Sequence, residues 1–368
     1  MDFTFDLATP DDDPALRHLL ATNPLPGSVT VTYEREPNYF LGCPVMGHFY
    51  QVPVVRCRAS GTLAGVALRA IRPCFVNGQI EQVGYLGQLR IDRAFRGQGL
   101  TARGFDYLRE LHADGRVPGY LAALTTTNTR ARQLLVEHPQ PHFPRFSALD
   151  SLVTLALIAR PRPALTAADV RIARGAACDV DRIVAFLHQH GRQRQFFPVY
   201  RASDFRDSPT TRGFRVEDFC LARYNGEIVG VIGLWDQSMY KQIVIQAYTC
   251  YLRWLRPGYN RVAPLFGVQP LPAPGQALRS VFASFVCIDQ RFPAVFAILL
   301  RYVLNLAAMR GYGYVLLGMS INDPLLNIAR RYAHIPYTSR LYAVTWGDTG
   351  GFYERRDHRP AYVDIAAM

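Results

Sequence analysis

The sequence predicts an α/β (α+β) protein made of two similar units, each a mixed, mostly antiparallel sheet flanked by helices. Three observations carry this expectation. Two Asn-Gly pairs, Asn77-Gly78 and Asn225-Gly226, each join strand-like segments; a two-residue hairpin turn needs positive φ twice, and Asn-Gly supplies it. Each hairpin is followed downstream by a segment of helical period and then another short apolar strand. The phrase I-D-x-x-F occurs at Ile91–Phe95 and returns at Ile288–Phe292, 197 residues later. We read this as a tandem duplication of one unit.

The elements follow in order. Thr9 to Asp13 offers capping side chains, Pro14 suits a first helical turn, and Leu16, Leu19 and Leu20 continue at helical spacing. Val52–Ala59 and Leu63–Val76 read as strands, and Gln79–Ile91 returns from the Asn77-Gly78 turn. A helix starts near Leu100 with Leu100, Gly104, Leu108 and Leu111 on one face, and Asp114-Gly115 ends it. Tyr120–Thr125 is the next strand, and Asn128 can cap a helix carrying Ala131, Leu134 and Leu135. Residues 159–169 hold two prolines and few large apolar side chains, so they form the linker between domains at 1–158 and 170–368. Beyond it come strand Val170–Ala173, a helix around Ile183, Val184 and Leu187, a hairpin (Phe219–Ala222 and Ile228–Leu234), and strand Phe285–Asp289. A helix through Leu300, Leu304 and Ala308 and strand Tyr314–Leu317 complete the order. With a small gap, the repeat sets Asn128 opposite Asn322.

Composition narrows the function classes. The chain has 368 residues, nearly half apolar, which is ample for buried cores. Its formal charge is +12, yet of its 41 basic residues only Lys241 is lysine. An arginine excess of this kind can reflect base composition as well as phosphate contact, so nucleic acid is disfavoured as partner. Seven scattered cysteines without a C-x-x-C pair suit reduced thiols in a cytoplasm and no metal site. The most apolar helix, Ala294 to Met309, is interrupted by Arg301 and Asn305, so no membrane span is expected. His188-Gln189-His190 is a poor metal signal, since residues two apart on a helix face different ways. The arginine–aromatic run His190–Arg201 could stack bases, line a small-molecule cleft or pack beside the linker, with nucleic acid the least favoured, and the aromatic insertion Trp235–Phe266 is expected to be core.

The sharpest feature is Arg96-Gly97-Gln98-Gly99-Leu100-Thr101, between a strand and a helix. N–H groups of such a loop lack backbone partners and point where the helix dipole favours an anion. Glycine admits a phosphate where a Cβ would collide, and Arg96 adds a fork-shaped cation. No lysine completes a Walker loop, and an antiparallel hairpin ahead of the glycines does not suit a dinucleotide βαβ unit.

This stretch resembles motif A, [QR]-x-x-G-x-[GA], of the GCN5-related N-acetyltransferase (GNAT) superfamily. The resemblance covers roughly residues 3 to 158, including the hairpin ahead of the motif and the phrase Asn128 to Leu134. It implies a tandem GNAT fold with acetyl-CoA as acyl donor and no metal. Main-chain N–H groups of Arg96, Gly97, Gln98, Gly99, Leu100, Thr101 and Ala102 would hold the pyrophosphate. Leu89 and Ile91 would pair with the pantetheine arm, and Asn128 matches the motif B asparagine. The acceptor would be a primary amine of a small molecule or peptide. Glu81, the one carboxylate between Gly78 and Ile91, is the candidate base, with Tyr85 on the same strand face as proton relay. Two positions differ from the family. Thr101 replaces Gly or Ala, and Leu135 stands where a tyrosine often protonates the leaving thiolate. Leu135 therefore keeps a non-catalytic acyl-CoA sensor or scaffold in view. A longer acyl donor also stays open. In the second unit, Pro293-Ala294-Val295-Phe296 replaces the glycine loop, so a second phosphate site is not expected there.

Overall fold

A computed structural model describes every residue except 1, 26, 28, 168 and 348–350. The first half contains β1 (Phe3–Leu7), α1 (Asp13–Ala21), β2 (Val29–Glu34), α2 (Cys43–Met46), β3 (Phe49–Gln51), β4 (Pro53–Cys57), β5 (Leu63–Val76) and β6 (Gln79–Ile91). It continues with α3 (Leu100–His112), β7 (Tyr120–Thr125), α4 (Thr129–Arg132) and β8 (Arg145–Ile158). The second half contains β9 (Val170–Arg174), α5 (Val180–Gly191), β10 (Phe197–Pro198), β11 (Phe219–Tyr224), β12 (Glu227–Trp235), β13 (Gln242–Tyr248) and α6 (Cys250–Val262). It ends with β14 (Ser280–Ile288), α7 (Val295–Met309), β15 (Tyr314–Ser320), α8 (Leu326–Ala329) and β16 (His334–Thr345).

The expected pair of sheets is one sheet. Its order is β1-β4-β5-β6-β7-β16-β8-β15-β14-β12-β11-β9, with β3 and β10 also paired to β5, which makes 14 strands. The halves merge by exchanging their last strands. β16 lies antiparallel between β7 and β8, and β8 pairs with β15. Each half therefore satisfies its inner strand edge with a strand from the other, and no edge is left at the join. A second sheet of two strands pairs β2 with β13, again one from each half.

The Asn-Gly turns form as the sequence requires. Asn77 and Gly78 have φ of 52° and 78°, and Asn225 and Gly226 have 49° and 86°. The largest apolar cluster lies in the second half, around α5, α7, β12, β14 and β15, where Phe285, Phe296, Leu299 and Leu300 are fully enclosed. The aromatic insertion departs from its expected core role. Trp235 is buried, whereas Tyr251, Trp254 and Phe266 stand in solvent.

Candidate functional site

The site grows out of a defect in β6. Opposite the single residue Ala67 of β5, β6 places two, Gln88 and Leu89, because Val66 pairs with Arg90 and Leu68 with Gly87. Gln88 adopts φ of 56°, the left-handed conformation that costs a non-glycine residue about 1–2 kcal/mol. The bulge bends the strand. β6 pairs with its parallel neighbour β7 only at Gly84–Tyr120 and Tyr85–Leu121. From Leu86 onward the two strands part and a notch opens along β6, where the Leu89 carbonyl accepts from Arg90 Nη1 at 3.0 Å in place of a β7 partner.

The closed end of the notch is fixed by a buried ion pair. Arg69, fully enclosed, donates to both carboxylate oxygens of Asp114 at 2.7 and 2.8 Å, to Gln51 at 2.6 Å and to the Tyr120 hydroxyl at 2.8 Å. The Tyr120 ring lies so close to Gly84 that a Cβ there would come within 2.3 Å of it. Glycine at position 84 is thus a packing requirement.

At the open end stands the glycine loop. Asp92 caps its first turn, accepting from the N–H of Ala94 at 2.8 Å. Gly97 and Gly99 have φ of 84° and 70°, and α3 begins directly after Gly99. A Cβ at either glycine would meet no protein atom within 4 Å. The glycines are therefore demanded by backbone conformation, and the space in front of them is open. Gln98 and Arg96 are exposed, Leu100 is buried under the helix, and Thr101 and Ala102 line its first turn. Arg96 is not aimed at that open space. Its guanidinium donates to the Ile91 carbonyl at 3.2 Å and to Asn23 Oδ1 at 2.7 Å, which ties the loop to the end of α1. The sequence shows a cation beside the loop but not the Asn23 that takes it up. Asn128 caps α4, its Oδ1 accepting from the N–H of Ala131 at 3.1 Å. Asn322, its counterpart in the repeat, donates instead to Asp150 at 3.2 Å.

The two proposed proton carriers are not brought together. Glu81 is exposed near the Asn77-Gly78 turn, and buried Val83 separates it along the strand from Tyr85. Tyr85 reaches the other way. Its ring covers Gly87, where a Cβ would lie 2.5 Å from the ring and 3.2 Å from the hydroxyl. The missing side chain at 87 lets the phenol extend toward the bulge. Burial, with a smaller push from Tyr337, keeps that phenol protonated far above neutral pH. Arg90 sits among the phenols of Tyr33, Tyr39, Tyr85 and Tyr337, and burial draws its proton affinity down. Among the described residues Arg90 makes no ion pair. Sequence reasoning missed Arg90, because the bulge that turns it to the Tyr85 face is not legible as a pattern. Leu135 is packed with Phe105, Leu108 and Phe143.

The second half repeats the defect. Phe285 and Val286 stand opposite Ile232 alone, and Phe285 has φ of 55°. β14 and β15 pair in parallel only from Ser280–Tyr314 to Phe282–Leu316. Here the chain's last residues fill the gap. Asp364 accepts from Phe285 N–H and Ser284 Oγ, both at 3.1 Å, and the Tyr362 hydroxyl accepts from Val286 N–H at 3.1 Å. Ile365 packs against Gly318, where a Cβ would come within 2.3 Å of it. Phe296, at the start of α7, is fully buried where the first half has glycine. Among the described residues no cluster of His, Cys, Asp and Glu could hold a metal. No described helix is long and apolar enough to cross a membrane.

No known family's sequence profile matches the chain, and no curated protein is similar to it in sequence. Solved structures are similar in fold. A GCN5-related N-acetyltransferase from Sphaerobacter thermophilus superposes with a TM-score of 0.53 at 14% identity, covering 100% of this chain and 98% of that one. N-myristoyltransferase from Saccharomyces cerevisiae with bound myristoyl-CoA superposes with a TM-score of 0.64 at 9% identity, covering 95% and 80%. A second structure of that enzyme with myristoyl-CoA gives 0.60 at 10% identity, covering 93% and 82%. Over 93 to 100% of its length the chain shares the fold of these structures.

Proposed function

We propose that the protein is an acyl-CoA-dependent N-acyltransferase that binds one acyl-CoA in the notch between β6 and β7. The observation that carries this reading is the bulge at Gln88 opening directly onto the glycine loop. One wall offers strand-like main-chain groups, and the end offers helix N–H groups facing open space. A phosphorylated, amide-bearing arm matches both. In this reading the N–H groups of residues 96 to 102 hold the pyrophosphate, with Arg96 as anchor of the loop. Leu89 and Ile91 pair with the pantetheine amides.

The acceptor is a primary amine of a small molecule or peptide. It attacks the thioester carbonyl, a C–N bond forms, the C–S bond breaks, and the amine proton passes to solvent. Arg90 favours the uncharged amine, because a second cation beside it is disfavoured. Tyr85 donates its hydroxyl proton to the departing thiolate, the task that Leu135 cannot perform. Glu81 lies outside this path. Acetyl is the proposed acyl group. A longer acyl chain is the second reading, favoured by the higher fold likeness to the myristoyl-CoA-bound enzyme. Free-thiol release from acetyl-, octanoyl- and myristoyl-CoA, with and without a panel of amines, tests the proposal. Amine-dependent release is expected. Tight CoA binding with no release from any pair would leave a binding protein instead.

A further inference from the structure

Helix α6 is oriented against its own polarity. Two of its polar side chains, Arg256 and Asn260, face the protein. Arg256 Nε donates to the Leu271 carbonyl at 3.1 Å, Asn260 Nδ2 donates to the same carbonyl at 3.0 Å, and Asn260 Oδ1 accepts from Leu271 N–H at 2.8 Å. Leu252 and Tyr259, half-buried, complete that inner face. The opposite face, at helical spacing 251, 254, 255, 258 and 262, is apolar and in solvent. Tyr251 is 71% exposed and Trp254 84%. The turn that follows adds Leu265 at 81% and Phe266 at 67%. A globular protein ordinarily turns such a stripe inward.

The charge around this face has one sign. From Gln237 to Ile288 the chain contains no carboxylate and five cations, Lys241, Arg253, Arg256, Arg261 and Arg279. Arg253 and Arg261 are exposed on the flanks of the apolar stripe. At Gly267, beside the Leu265-Phe266 tip, an added Cβ would lie 3.5 Å from Pro161. Pro161 is itself flanked by Arg160 and Arg162. Arg160 and Arg301 stand close enough to Arg162 to depress its proton affinity, after the larger effect of burial. None of the three has an ion-pair partner among the described residues.

We propose that α6 and the Ala263–Phe266 turn form a peripheral docking surface for an anionic lipid bilayer. Trp254, Leu265 and Phe266 enter the headgroup–acyl boundary, and Arg253, Arg261 and the Arg160–Arg162 pair meet lipid phosphates and carboxylates. Aromatic side chains at the boundary, flanked by arginine, are the composition that an interfacial helix needs. The face is an exposed apolar stripe with cations on its flanks and no carboxylate nearby in sequence, which suits a fluid anionic surface better than a folded partner.

The test uses the full chain and sedimentation with vesicles of phosphatidylcholine alone or mixed with phosphatidylserine. Wild type is expected to pellet with the mixed vesicles, less so at high salt, with tryptophan emission shifting to the blue. That shift reports Trp254, since Trp235 is buried and Trp346 half-buried. The triple change Trp254→Ser, Leu265→Ser, Phe266→Ser should weaken vesicle binding at least about tenfold and remove the shift. Its circular dichroism and CoA affinity should match wild type. Absence of pelleting, equal binding to neutral vesicles, or a triple variant that binds as well would overturn the proposal. So would a lipid-free wild-type dimer that the triple variant dissolves, which would assign the face to a second copy.

Discussion

Gln88 and Phe285 take the same left-handed backbone conformation, at φ of 56° and 55°, 197 residues apart. That is the separation of the two I-D-x-x-F phrases. Each is the first residue of a bulge, and each bulge parts a pair of parallel strands. The two gaps then diverge. The first opens on glycines, and the second is filled by Tyr362, Asp364 and Ile365. The same kind of bulge thus borders an open gap in one half and a sealed one in the other.

The first prediction is stoichiometric. Acetyl-CoA titrated by calorimetry into the intact chain should bind once per chain. Two equivalent sites would mean that the C-terminal segment gives way to ligand.

Gly99→Asn separates the loop's conformation from its open space. Asparagine tolerates the left-handed region, so folding should survive at a cost of about 1 kcal/mol. Its side chain would stand where the phosphates lie, and CoA affinity should fall about a hundredfold or more, as when close backbone approach is lost. Unchanged affinity in the folded variant would take the loop out of the site.

Tyr85→Phe removes only a hydroxyl. Loss of a proton donor should lower kcat by about a hundredfold with CoA affinity unchanged. An acyl donor whose thiol is more acidic should recover much of the rate, because such a leaving group needs no proton. Steady-state rates with both donors check this. A kcat defect equal for both donors would make Tyr85 a positioning residue.

Asp364→Ala deprives Phe285 N–H, Ser284 Oγ and Ala366 N–H of their acceptor. Buried donors left unpaired cost about 1–3 kcal/mol each. The urea midpoint should fall accordingly, while CoA affinity stays at wild type. An undiminished midpoint would mean that the terminal segment does not seal the second gap.

Arg69→Met should destabilise the protein by about 3 kcal/mol at neutral pH, since it leaves a partly buried carboxylate with only the more exposed Arg116 as ion-pair partner. Burial alone would raise the pKa of Asp114, but hydrogen bonds and charge from Arg69 and Arg116 together outweigh it and hold the group below its ordinary value of 3.8. A depressed carboxylate contributes stability above its unfolded pKa and loses it as pH falls through the folded one. The gap between variant and wild type should therefore narrow below about pH 4. Urea midpoints across pH 3 to 7 measure it, and a gap that widens in acid would refute the assignment.

Much of this fold was legible because local chemistry dictated it. The Asn-Gly turns bounded β5 and β6 to the residue, and Tyr120–Thr125 appeared as expected. Residues 159–169 run without helix or strand where described, with 168 outside the described residues. Pairing was not legible. β8 and β16 alternate as strands do, yet nothing local says that each will sit beside the other half's strand, so one sheet was read as two. Orientation was equally hidden. The period of α6 announces two faces, but only its contacts with Leu271 show that the polar one turns inward. At the site, the loop glycines were readable from type and spacing. The tether from Arg96 to Asn23 and the separation of Glu81 from Tyr85 depend on three-dimensional packing, which spacing along one strand does not encode.

The central claim is that acyl-CoA lies in the notch beside β6 and against the glycine loop. Hydrogen–deuterium exchange of the intact protein, with and without acetyl-CoA, tests it most directly. The account predicts slowed exchange across residues 86–102, with residues 283–297 unchanged. Slowing confined to other segments, or equal in both bulged strands, would contradict it.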